Sequence, residues 1–101
     1  MIVPRNRRPI TPGQVLREDF VEPLGLTQGK VAEALGVDRT TINEIMNDKR
    51  SITPDMALRL ARSTDTSPEY WMKLQLAVDL FDAQRAPDRT KVRRLAALSA
   101  G

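Results

Sequence analysis

Residues 26–50 read LTQGKVAEALGVDRTTINEIMNDKR, and this stretch decides the fold. It divides at Gly36, Val37 and Asp38 into two short segments, Gln28 to Leu35 and Arg39 to Asn47, with apolar residues at helical spacing. Thr27 and Asp38 stand just before them, where a side-chain oxygen accepts from an otherwise unpaired first-turn amide. Gly36 supplies the left-handed backbone of a tight corner, and Ala32 lets two steeply crossing helices approach. Val31 and Leu35 then face Ile42 and Ile45, and Val37 points back into the core. That leaves Arg39, Thr40, Asn43 and Glu44 on one outward side. An ordinary helical hairpin would fill such a side with Glu and Lys pairs. Arg, Thr and Asn suit base edges and phosphates instead, so the reading is a helix-turn-helix with double-stranded DNA as partner.

Such a motif lays its second helix in the major groove, N-terminal end toward the bases. Arg39 can fork onto a guanine, Thr40 can meet a thymine methyl, and Asn43 and Glu44 complete the base-reading set, Glu44 accepting from a cytosine amino group. Thr27 and Gln28, at the start of the first helix of the pair, belong with the phosphates, as do Thr41, Asn47, Lys49 and Arg50. For Lys49 and Arg50 a merely solvated loop end stands as an equal alternative.

Working outward, Thr11-Pro12, Thr53-Pro54 and Ser67-Pro68 each place a hydroxyl at an N-cap and a proline at the first helical position. These starts predict helices over Pro12 to Glu22, Pro54 to Thr64 and Pro68 to Arg85 beside the two of the motif. No alternating strand pattern occurs, so the fold class is all-α with five helices. In the last helix Trp71, Leu74, Val78 and Phe81 follow one buried face. Met72, Leu76, Leu80 and Ala83 form a second apolar set on the other side. The second set is either additional core or a dimer contact. So short a chain has difficulty covering a helix on both sides, which favours the homodimer. Residues 88–98 could form a further helix, but Pro87 and crowded positive charge oppose it, so the segment reads as mobile.

The chain has 101 residues and a net charge of +3, unevenly spread. Residues 1–10 hold three arginines and no acid, residues 85–101 hold five cations against Asp88, and residues 11–84 therefore sum to −4. This divides the chain into a basic arm over 1–10, a domain over 11–85 and a basic tail over 86–101. With no Cys and no His, disulfides, Cys or His zinc sites and imidazole-based catalysis are excluded. No carboxylate pair has acid–base spacing, so neither an enzyme, a metal nor a cofactor is expected. There is no membrane-length apolar run and no secretory signal, which predicts a cytoplasmic protein.

Residues 26–50 resemble the helix-turn-helix of the Xre, or lambda-repressor-like, family. RRPITPGQVLREDFVEPLGL (7–26) and KRSITPDMALRLARSTDTSPEYWMKLQLAVDL (49–80) resemble HigA-type antitoxins, the VapI-like group. The resemblance implies a five-helix domain that represses its own operon as a homodimer. It also implies a partner, a HigB-like toxin that cleaves mRNA during translation. By similarity, base-reading positions fall on Arg39, Thr40 and Glu44, and phosphate positions on Gln28, Asn47 and Lys49. Asp48 and Asp65 depart from the family, which often carries glycine there, and Gly29 sits inside a helix. A stand-alone Xre-type repressor without a toxin is the alternative. Glu18, Asp19 and Glu22, or Asp79 and Asp82, are acidic candidates for meeting a basic toxin, although solubilising charge explains each as well.

Overall fold

Five side-chain oxygens start five helices. In the computed structural model, which describes residues 7–86, 89 and 91–99, Thr11 Oγ1 accepts from Gln14 N at 3.0 Å and Thr27 Oγ1 from Lys30 N at 3.2 Å. Asp38 Oδ1 accepts from Thr41 N at 2.7 Å, Thr53 Oγ1 from Met56 N at 3.2 Å, and Ser67 Oγ from Tyr70 N at 3.1 Å. The helices are α1 (Pro12–Val15, continued by a π-helix over Leu16–Val21), α2 (Gln28–Leu35), α3 (Arg39–Met46), α4 (Pro54–Thr64) and α5 (Pro68–Gln84). Among the described residues there is no strand.

The first helix departs from the expected α-helix. From Leu16 onward its bonds lengthen by one residue, with Glu22 N donating to Arg17 O at 2.9 Å. Leu16 and Val21 are both buried, five residues apart. Five residues turn an α-helix about 500°, roughly 140° past a full turn, whereas i→i+5 bonding stacks such residues on one side. The wider turn buries both. The third helix ends at Met46 with Asn47 as its cap, and Asp48 takes the left-handed conformation at φ 60°. Asp65 does the same after α4 at φ 56°, and Gly36 ends α2 at φ 69°.

The core gathers Val15 and Leu16 from the first helix, Val31 and Leu35 from α2, Ile42 and Ile45 from α3, Leu60 from α4 and Trp71 from α5. The half-buried Val37 packs against it. Trp71 lies edge-on to Tyr70 with ring centroids 5.4 Å apart, and its Nε1 donates to Thr66 Oγ1 at 2.8 Å, so its one polar atom is satisfied.

Along α5, Trp71 and Val78 are buried and Leu74 and Phe81 half-buried, as their spacing predicts. The second apolar set splits. Met72 is half-buried and packs on the core, while Leu76 and Leu80 are 56% and 51% exposed and Ala83 is exposed. Gln75 lies between the faces, buried. Its Oε1 accepts from Ile52 N at 2.7 Å and its Nε2 donates to Asp79 Oδ1 at 2.9 Å, which ties α5 to the segment leading into α4.

The segment over residues 88–98, expected to be mobile, begins outside the described residues. Its described part holds one 3-10 turn, Leu95–Leu98, which buries nothing. Arg5 and the rest of residues 1–6 of the expected arm also lie outside them.

Candidate nucleic-acid interface

The corner between α2 and α3 aims one side of α3 outward. Ile42 and Ile45 are fully buried, and this fixes the rotation of the helix about its axis. Arg39, Thr40 and Asn43 are consequently exposed, and Thr41 and Glu44 half-buried. Asn43 Nδ2 donates to Gln28 Oε1 at 3.2 Å, linking the outward side of α3 to the start of α2. Asn47 Nδ2 donates to Asn43 O at 2.8 Å, so Asn47 helps close the end of α3. Thr27, Lys49 and Arg50 are exposed at the two margins of this surface.

Glu44 is engaged within the chain. Arg50 Nε and Nη2 both donate to its Oε1, at 3.1 and 2.7 Å. The pair offsets the repulsion that a lone carboxylate would meet beside a phosphate backbone. Asp38 is held below the usual carboxylate range, first by the backbone hydrogen bond from Thr41 and then by the Thr41 hydroxyl. It caps α3 as an anion, favourable at the positive end of the helix dipole.

Residues 17–71 match the helix-turn-helix family. Over 79 residues the chain is 42% identical to an uncharacterized HTH-type transcriptional regulator of Haemophilus influenzae, covering 78% of this chain and 74% of that one. It is 40% identical, also over 79 residues, to antitoxin HigA-1 of Vibrio cholerae, with the same coverage of each. The structure of Pseudomonas aeruginosa antitoxin HigA with the higBA promoter superposes with a TM-score of 0.79 at 37% identity, covering 87% of this chain and 99% of that one. The chain belongs to the HigA-type, Xre-like helix-turn-helix family.

Two features of this HigA-type chain that brace α3 were not legible in its sequence. Arg17 Nη1 donates to Met46 O at 2.8 Å, satisfying a carbonyl at the last turn of α3 from the π-helical segment. Gly13 lies so close that a Cβ on it would stand 2.0 Å from Ile45 O. No local pattern marks either residue, since both partners are some thirty positions away in sequence. Arg59 is half-legible. Its pairing with Asp55 at helical spacing is present, Nε to Oδ2 at 2.9 Å. The same guanidinium also donates through Nη1 to Leu35 O at 2.8 Å and Gly36 O at 3.1 Å, so it holds the corner rather than standing in solvent.

Of the acidic candidates, Asp79 accepts from Gln75 and Asp82 from Arg8, whereas Glu18, Asp19 and Glu22 are exposed. No helix among the described residues is long and apolar enough to cross a membrane.

Proposed function

We propose that this protein is a sequence-specific DNA-binding antitoxin that represses its own operon as a homodimer and neutralises a HigB-like mRNA-cleaving toxin. One observation carries the DNA reading: Ile42 and Ile45 are buried while Arg39, Thr40 and Asn43 stand exposed on the other side of the same short helix. In this reading α3 enters the major groove. Arg39, Thr40, Asn43 and Glu44 meet base edges, Glu44 exchanging Arg50 for a base on binding. Thr27, Gln28, Thr41, Asn47, Lys49 and Arg50 meet phosphates on either side. Residues 11–85 form the working domain, Met72, Leu76, Leu80 and Ala83 the dimer contact, and the protein works in the cytoplasm. Neither a cofactor nor catalysis enters.

Binding of the upstream fragment of its own operon, measured by gel shift across a salt series, tests the assignment. Arg39→Ala weakens specific binding by about 1–3 kcal/mol and relaxes sequence preference, while Lys49→Ala weakens all duplexes alike and lowers the salt slope by about one. Equal losses of specific and non-specific binding in both variants reject the base-reading role.

A stand-alone repressor is the second reading, favoured by the relative described only as an HTH-type regulator. Co-expression with the product of the neighbouring gene separates the two. Copurification and rescue of growth support the antitoxin; a harmless or unbound neighbour leaves the repressor alone.

A further inference from the structure

The described residues that precede α1 do not all trail into solvent. Thr11 is buried, and the close approach of Gly13 to Ile45 fixes the start of α1 against the end of α3. Arg8, three residues earlier, therefore emerges beside the loop that carries Lys49 and Arg50. There it forks onto α5, with Nε donating to Asp82 Oδ1 at 3.1 Å and Nη2 to Oδ2 at 2.9 Å. Both side chains remain about half exposed, at 44% and 51%, so the ion pair itself contributes little to stability.

Its location gives the pair another role. Arg8, Asp48, Lys49, Arg50, Asp79 and Asp82 line a single cleft of about 180 Å3. Three cations face three carboxylates in its lining, and one of them, Arg50, is also paired with Glu44 outside it; without Arg8 the lining carries a net −1. The hydrogen bond to Asp82 raises the Arg8 pKa above its ordinary value against slight desolvation, and the charges of Asp82, Asp48 and Asp79 add to the attraction. Arg8 thus answers all three carboxylates and not Asp82 alone.

We propose that Arg8 is a charge-masking residue: clasped on Asp82, it neutralises the carboxylates beside Lys49 and Arg50 and so sets DNA affinity without touching the DNA. This rests on the DNA-binding reading above, in which Lys49 and Arg50 meet phosphates. Masking and direct contact make opposite predictions for double variants. If masking operates, affinity follows the charge of the cleft. Asp82→Asn then binds more tightly than the parent, Arg8→Ala binds about three- to tenfold more weakly at low salt, and Arg8→Lys stays near the parent. Arg8→Ala combined with Asp82→Asn, or with Asp79→Asn, returns to near the parent affinity.

The probes are the fragment upstream of the gene and a random duplex of equal length, each titrated at about 50 mM salt, where phosphate-directed charge effects are large. The melting temperature of every variant is recorded alongside, and it is expected to move little. If both double variants bind as weakly as Arg8→Ala, Arg8 contacts the phosphates itself and masking is wrong. If Arg8→Ala binds like the parent, the clasp has no part in DNA affinity. A parent protein that shifts neither duplex overturns the DNA reading along with this one, whereas failure confined to the variants overturns masking alone.

Discussion

A methyl group on Gly13 would lie 2.0 Å from the Ile45 carbonyl oxygen and 2.9 Å from Asp48 Oδ1. The first partner is backbone at the end of α3, so relief requires α1 and α3 to separate. Gly13→Ala should therefore cost about 3 kcal/mol, the upper range of overpacking penalties, seen as a lower urea midpoint at unchanged slope. A variant as stable as the parent would mean that the two helices slide apart without loss. The left-handed positions behave differently. Asp48 and Asp65 adopt positive φ without glycine, at 60° and 56°. Short polar side chains visit that region more readily than other residues do, which explains how the chain makes these turns without glycine.

Both ends of α3 are pinned by groups outside it. Asp38 caps the first turn, and Arg17 from the π-helical segment holds the Met46 carbonyl. Because hydrogen bonds from Thr41 keep the Asp38 carboxyl below its ordinary value of 3.8, its anion is favoured in the folded state. The resulting stabilisation is complete above the unfolded carboxyl pKa and is lost as pH falls through the lower folded one. Asp38→Asn keeps a capping oxygen but removes the titration. Urea midpoints at neutral and strongly acid pH should differ less in this variant than in the parent. An unchanged difference would remove Asp38 from the acid response.

At the scale of the whole molecule, α5 leaves Leu76 and Leu80 more than half exposed, at 56% and 51%, on a helix whose other face is in the core. Two copies meeting there would bury both and carry a pair of α3 helices. Palindromic sites are read by such pairs about one DNA turn apart. Leu76→Lys with Leu80→Lys should give a folded monomer in sedimentation and weaker operator binding, its melting temperature lowered only by the lost association because neither side chain supports the monomer core. A double variant that still sediments as a dimer refutes this contact.

Five capping residues, the corner glycine and the division of α3 into buried isoleucines and exposed Arg39, Thr40 and Asn43 were all legible in the chain. These depend on bonds three residues away or on helical periodicity, which are local and therefore written in order along the sequence. The π-helical turn over Leu16–Val21 was not, because it yields to what the neighbouring helices need buried. Arg17 on Met46, Arg59 on the corner carbonyls, Gln75 on Ile52 and Arg8 on Asp82 were equally hidden. Except for the Asp55 partner of Arg59, each joins residues more than twenty positions apart, so its partner exists only once the helices have packed. By itself, then, the sequence determined which helices form and which side of α3 looks outward. What clamps that side in place, and which charges surround it, only the tertiary structure decided.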